Sequence, residues 1–216
     1  MRAVRKQEIK QRNMQTVLEQ AARLFAEQGV SQTTMAQIAS AAHLTERTVI
    51  SYYDSRNELN RAVMQYMLGA SVRVLNAYIR SGGFRRSTGL EQYLGLLSCI
   101  LHAAKANYRA INSLVEIELL SFRGEAAQDS PAEEILGDIC RLFLDSLEKG
   151  LADGSIRAHT AITADFIHSA VFSLRGMQRQ VAFAMQGGTA GGTALVDGII
   201  EDYVRLYERT LTNVSG

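Results

Sequence analysis

Apolar residues recur along this chain at the spacing of an α-helix. Val17, Ala21 and Leu24 lie three or four positions apart, and Gly29 follows where a glycine commonly ends a helix. The sequence contains no sustained alternation of apolar and polar residues, which would be typical of strands. The pattern therefore predicts an all-α protein.

Capping and turn residues divide this pattern into about nine predicted helices. Thr34–Gln37 and Ser55–Glu58 each have the form of a capping box, and the second opens a long helix over residues 56–79. The last five predicted helices are separated by glycine-containing breaks and cover residues 88–106, 107–122, 131–152, 161–186 and 193–213. We predict an N-terminal three-helix domain over residues 1–54 and a larger helical bundle over residues 55–216.

Residues 34–53 have the layout of a helix-turn-helix. Met35 to Ala42 forms the first predicted helix and Glu46 to Tyr53 the second. The turn between them needs a residue that tolerates positive φ, and His43 is of a type enriched there. Leu44 is predicted to point inward. In a helix-turn-helix the second helix enters the major groove of DNA.

An αα-hairpin inside a helical core has the same layout, so the surface of the second helix decides between the two interpretations. Thr45 is a good N-cap for this helix. Its exposed face is rich in hydrogen-bond donors, which suit phosphates and base edges, and these are Arg47, Thr48, Ser51 and Tyr52, followed by Arg56. The pattern favours DNA binding.

The residues of this segment resemble the N-terminal domain of the TetR family of bacterial transcriptional regulators. The matching residues are Leu24–Gly29, Thr33–Ala39, Leu44-Thr45, Thr48-Val49, Tyr52-Tyr53 and Ser55–Leu59. The resemblance implies a ligand-responsive regulator, taken here as a repressor, that binds a palindromic operator as a homodimer. It also implies DNA contacts by Thr34, Thr45, Glu46, Arg47, Thr48, Ile50, Ser51, Tyr52 and Arg56.

The resemblance divides these contacts into two kinds. Thr34, Tyr52 and Arg56 match phosphate contacts, whereas residues 46, 47, 48 and 50 match positions that read bases. Glu46, Arg47 and Ile50 depart from the residues that are frequent there. Arg47 could bind guanine and Glu46 could accept from cytosine, or the two could only moderate each other's charge. Ile50 could contact a thymine methyl group or simply pack.

In this family the C-terminal helices form an effector pocket and a dimer interface. The resemblance implies a small apolar effector, and the pocket candidates are Tyr78, Tyr93, Leu97, His102, Tyr108, Glu116, Phe122, Phe143, Phe172 and Met177. Glu116 could instead belong to a solvated face or pair with Arg109 or Arg123. The eighth and ninth predicted helices, residues 161–186 and 193–213, are the expected dimer interface. The candidates there are Phe166, Ser169, Phe172, Ser173, Gly176, Ile199, Tyr203 and Leu206.

Charge changes this picture only when the chain is divided. The whole chain has 23 Lys and Arg against 22 Asp and Glu, a formal net charge of +1. Residues 1–61 contain nine basic and six acidic residues, a net charge of +3, and residues 62–216 contain 14 and 16, a net charge of −2. Five basic residues lie in the first 12 positions. This basic arm could reach DNA or be a solvated, disordered terminus.

Several other classes of protein are disfavoured. Cys99 and Cys140 form neither a disulfide framework nor a metal-type spacing, which indicates a reducing compartment such as the cytoplasm. A di-iron enzyme needs repeated Glu-x-x-His pairs, and only Asp165 and His168 approach one. We therefore expect no catalytic residue, metal, cofactor or membrane span. The remaining alternative is a helical ligand-binding or interaction protein without specific DNA binding. The exposed donors of the second helix argue against this alternative, but the acidic Glu46 on the same helix leaves it open.

Overall fold

The computed structural model describes residues 2–121, 131–157, 164–186 and 190–212, and these residues form ten α-helices and no strand. The helices are α1 (Arg2–Gln28), α2 (Met35–Ala41), α3 (Glu46–Ile50), α4 (Arg56–Ile79), α5 (Gly82–Arg86), α6 (Gly89–Ala106), α7 (Tyr108–Ser121), α8 (Pro131–Asp153), α9 (Ala164–Gln186) and α10 (Ala190–Thr212). The all-α prediction is confirmed.

Helices α5 and α1 differ from the sequence prediction. The last two residues of the predicted break at 81–83 begin a short helix, α5, which Ser81 caps by accepting from the amide of Phe84 at 3.1 Å. Helix α1 begins at Arg2, so the basic N-terminal residues are helical and do not form a disordered terminus. The predicted eighth and ninth helices correspond to α9 and α10.

The chain forms two compact units. The first contains Met1–Gly69 and Asn112–Pro131, and the second contains Ala70–Ile111 and Ala132–Gly216. Helices α4 and α7 each contribute residues to both units, so the division differs from the predicted boundary at residue 54. In the first unit, α1 to α4 bury an apolar set that contains Val17, Ala21, Phe25, Ile38, Val49, Leu59 and Val63.

The local signals that position α2 and α3 are present in the structure. Gly29 ends α1 with φ of +91°, a conformation that L side chains rarely adopt. At the start of α2, the hydroxyl of Thr34 accepts from the amide of Gln37 at 3.2 Å, and the Gln37 side chain accepts from the amide of Thr34 at 2.7 Å. His43 has φ of +56°, as the turn between α2 and α3 requires.

The start of α4 differs slightly from the predicted capping box. The hydroxyl of Ser55 accepts from the amide of Glu58 at 3.1 Å. The Glu58 carboxylate accepts from the amide of Asp54 at 2.7 Å and not from that of Ser55. Both bonds still satisfy amides at the beginning of α4 and fix the direction in which it leaves α3.

The core of the second unit is built around α6, which packs against α9 and α10. Helix α6 also approaches α8 closely at Gly89, where an added Cβ would lie 1.9 Å from the amide nitrogen of Gly150. The most deeply buried members of this core include Tyr93, Leu96, Leu97, Leu101, Leu147 and Ile200.

Candidate DNA-binding site

Helix α3 is short and is held in place by its own hydroxyl groups. The Thr45 hydroxyl accepts from the amide of Thr48 at 3.2 Å and lies 2.8 Å from the Thr48 hydroxyl. Ser51 donates its hydroxyl to the Thr48 carbonyl at 2.7 Å. The completely buried Val49 anchors the helix from beneath. The predicted helix to Tyr53 is three residues too long, because α3 ends at Ile50 and Tyr53 turns into the core.

The outer face of α3 presents Glu46, Arg47 and Ile50 to solvent. All three are exposed, and Ile50 retains 47% of its accessible surface, so it does not simply pack into the core. No ion pair joins Glu46 to Arg47 in the part of the chain that the structure describes. An exposed arginine at this place has the donors to bind the O6 and N7 atoms of guanine.

Tyr52 lies beside α3 and is supported by α1. Asn13 donates to the Tyr52 hydroxyl at 3.2 Å, and the Lys10 ammonium lies 5.8 Å from the centre of the Tyr52 ring. Because a phenol can accept one hydrogen bond and donate another, Tyr52 keeps its own proton for a phosphate oxygen. Its neighbour Tyr53 is buried, and its hydroxyl donates to the carbonyl of Met14 at 3.2 Å. Burial, with a smaller effect from Glu58, raises the pKa of Tyr53 to about 12.

Arg56 and Thr34, two predicted phosphate contacts, line the same open groove. The groove has a volume of about 610 Å³, and its other lining residues are Val30, Ser31, Thr33, Met35, Asn57 and Asn60. Arg56 donates from Nη2 to the carbonyl of Val30 at 3.0 Å, and its guanidinium carbon lies 5.0 Å from the centre of the Phe25 ring. A guanidinium has five N–H donors, so Arg56 can hold Val30 and still bind an anion.

Glu116 belongs to the first unit, unlike the other described pocket candidates. Its carboxylate accepts from the amides of Val30 and Ser31, at 2.9 Å and 2.7 Å, and from the Ser31 hydroxyl at 2.5 Å. These contacts are with the α1–α2 turn of the first unit, which the sequence analysis did not predict. Arg123, one of the two predicted ion-pair partners, lies outside the described residues. No local pattern predicts this contact, because it joins residues more than 80 positions apart.

The other described pocket candidates lie in the second unit and differ in burial. Tyr93, Leu97 and Phe143 are buried, and the rings of Tyr93 and Phe143 meet edge to face at 4.9 Å. Tyr78, Tyr108 and Met177 are half-buried. His102 and Phe172 are exposed, so they do not belong to the buried core with the others. Phe122 lies outside the described residues.

Tyr93 has an unusual polar environment for a core residue. Its hydroxyl is buried and has no hydrogen-bond partner in the described part of the chain. The rings of Tyr203 and Tyr207 lie close by, with Tyr207 at 5.8 Å from Tyr93 and 5.1 Å from Tyr203. Burial, followed by the neighbouring hydroxyls of Tyr207 and Tyr203, raises the pKa of Tyr93 above its usual range, so it stays a neutral donor.

The predicted interface candidates also divide into exposed and buried sets. Ser169, Phe172, Ser173 and Gly176 on α9 are exposed, as is Leu206 on α10. Phe166 and Ile199 are half-buried. Tyr203 is buried within the chain, where its hydroxyl lies 3.0 Å from that of Ser173. Two large exposed apolar residues on these helices, Phe183 and Leu195, were missing from the prediction.

Comparisons with known proteins agree with this geometry. Residues 17–63, which run from α1 into α4, match the model of the bacterial regulatory proteins of the tetR family. These residues form a DNA-binding domain of the TetR family. The chain is 24% identical over 197 residues to the HTH-type transcriptional repressor KstR2 of Rhodococcus jostii (strain RHA1), a match that covers 88% of this chain and 86% of the relative.

Two solved structures of bacterial regulators share the fold. A tetR-family regulatory protein from Rhodococcus RHA1 superposes with a TM-score of 0.67 at 16% identity, over 94% of this chain and 98% of that one. The transcriptional regulator FadR from Bacillus subtilis, in complex with stearoyl-CoA, gives a TM-score of 0.58 at 16% identity, over 87% and 95%. The chain therefore shares the fold of these two regulators and has an N-terminal helix-turn-helix that matches the TetR family.

Two further observations concern membranes and metals. Among the described helices of this regulator, none is both long enough and apolar enough to cross a membrane. The described residues contain no group of three or more His, Cys, Asp or Glu side chains that could hold a metal ion.

Proposed function

We propose that this TetR-family regulator is a repressor that binds a palindromic DNA operator as a homodimer and is released by a small apolar effector. The observation that carries the DNA-binding part is the exposed face of α3, with Arg47 and Glu46 open to solvent. Thr34 and Arg56 line one groove, and Tyr52 is held by α1. The side chains that we expect to read bases and those that we expect to bind phosphates thus all belong to the first unit.

The homodimer is supported by the exposed apolar surface of α9 and α10. Phe172 and Phe183 on α9 are 78% and 75% exposed, and Leu195 and Leu206 on α10 are 61% and 58% exposed. Large apolar side chains that remain exposed in a single chain commonly mark a protein–protein interface. Gly176 and Gly198 leave open space where a Cβ would stand, which permits close approach of a second copy. A C2 dimer matches a palindrome with half-sites about 34–36 Å apart.

The effector site is proposed to include the buried hydroxyl of Tyr93. A buried polar group without a partner is costly, and a ligand atom is one way to satisfy it. The surrounding aromatic rings of Phe143, Tyr203 and Tyr207 provide an apolar environment. FadR from Bacillus subtilis, which shares this fold, was solved in complex with stearoyl-CoA. This complex supports an effector with a large apolar part for the present chain.

A gel shift with DNA from upstream of the protein's own gene tests this function. We expect a discrete complex that an unrelated duplex of equal length does not compete away. Compounds that are apolar with one hydroxyl or carbonyl group, and stearoyl-CoA, are then added to find one that releases the DNA. Tyr93→Phe should bind DNA normally but need more of that compound. Absence of any sequence-dependent complex would favour an interaction protein that does not recognise a specific DNA sequence.

A further inference from the structure

The turn between α1 and α2 is held by a residue from a distant helix. Glu116 of α7 uses both carboxylate oxygens, one for the amide of Val30 and the other for the amide and hydroxyl of Ser31. The turn begins at Gly29, whose positive φ brings the chain round toward α2. Three hydrogen bonds to one ionised group fix this turn more firmly than bonds between neutral groups would.

The charge of Glu116 is maintained by its surroundings. Partial burial alone would raise the pKa of this carboxyl, but the hydrogen bonds from Ser31 and Val30 outweigh it, and the Arg56 charge adds to their effect. The pKa of Glu116 is therefore lowered from its ordinary value, and the group is ionised at neutral pH.

The same turn also holds a predicted DNA contact. Val30 donates its amide to Glu116 and accepts at its carbonyl from Arg56 at 3.0 Å, so this one residue links α7 to α4. Four residues beyond Val30, Thr34 caps α2, and Thr34 and Arg56 line the same groove. A shift of the turn therefore changes the positions of both predicted phosphate contacts together.

We propose that Glu116 is a positioning residue for DNA binding, which sets the α1–α2 turn and through it the places of Arg56 and Thr34. The proposal rests on the proposed function. Residues 108–111 of α7 belong to the second unit, and the rest of this helix belongs to the first. Glu116 and its partners Val30, Ser31 and Arg56 thus all belong to the first unit.

Whether Glu116→Gln raises or lowers the affinity for the operator distinguishes a positioning role of Glu116 from a purely electrostatic one. Glu116→Gln removes a negative charge from the first unit, and on charge alone this change would strengthen binding to DNA. Positioning predicts the opposite, because the amide group of Gln cannot accept all three hydrogen bonds. We expect affinity for the operator to fall about tenfold, with affinity for unrelated DNA unchanged or higher.

The experiment measures operator and unrelated-duplex affinities for the full-length wild type, Glu116→Gln, Ser31→Ala and the double variant. All are compared at a temperature where circular dichroism shows each to be folded. Ser31 is exposed, so Ser31→Ala removes one hydrogen bond with little risk to folding, and it should weaken operator binding about threefold. Glu148→Gln, on the exposed surface of α8, is the matched control.

The outcomes are distinct. If Glu116 and Ser31 both affect operator binding by fixing the α1–α2 turn, the double variant binds the operator about as weakly as Glu116→Gln alone. Operator affinity of Glu116→Gln equal to or above that of wild type would overturn the proposal. If that variant does not fold, unchanged operator binding by Ser31→Ala would overturn it as well. Failure of the wild type to bind any operator would instead refute the proposed function.

Discussion

At the scale of single residues, the hydroxyls and charges of α3 have different roles. Thr45, Thr48 and Ser51 use their hydroxyls on their own helix, where they cap and end it. Arg47 and Glu46 remain exposed to solvent. Base recognition by this chain is therefore expected to depend most on the two charged residues at the start of α3 and on the methyl groups of Ile50.

Arg47→Ala should weaken binding to the operator by about 1–3 kcal/mol at one base position, because a bidentate contact to guanine is lost. The measurement is competition binding against operators that carry single base changes. The wild type should discriminate strongly at one position, and the variant should tolerate every base there. Equal weakening by Arg47→Ala on all sequences would identify Arg47 as a phosphate contact.

Residues with local signals were predictable and those with distant partners were not. The sequence indicated the cap at Thr34 and the positive φ at His43, because each depends on neighbours within four positions. Glu116 was placed with the wrong group of residues, since its partners Val30 and Ser31 are distant in the chain and only the fold brings them together.

At the scale of helices, the exposure of side chains on α9 and α10 gives information that their sequence pattern does not contain. Their apolar residues were visible in the sequence, but periodicity alone does not distinguish a core face from an interface face. The structure separates them, since Tyr203 is buried within the chain while Phe172 and Leu206 are exposed. The start of α1 is a second case in which the structure adds to the sequence. The basic charge of the first 12 residues can be read from the sequence, but their helical form could not be predicted from it.

Phe172→Asp should turn the dimer into a monomer, because it places a charge on the apolar surface where a second copy is expected. Sedimentation at micromolar concentration tests this, with Leu151→Asp on α8 as the control. Leu151 is 46% exposed and lies outside the proposed interface. We expect the wild type and the control to be dimers. A monomeric wild type, or a dimeric Phe172→Asp variant, would exclude this interface.

At the scale of the whole molecule, the distribution of charge limits how the regulator binds DNA. The net charge of residues 1–61 is only +3, and residues 62–216 have a net charge of −2. Strongly basic DNA-binding proteins gain much of their affinity from general attraction to phosphates. Here we expect affinity to come more from positioned contacts and from the geometry of two copies, which makes the arrangement of the operator decisive.

Selection of bound sequences from a random DNA pool tests this account most directly. The full-length protein is used, and bound duplexes are sequenced after several rounds. The account predicts an enriched palindrome whose two half-sites are about 34–36 Å apart centre to centre, since both copies read equivalent bases. Enrichment of no sequence, or of a single half-site without symmetry, would contradict it.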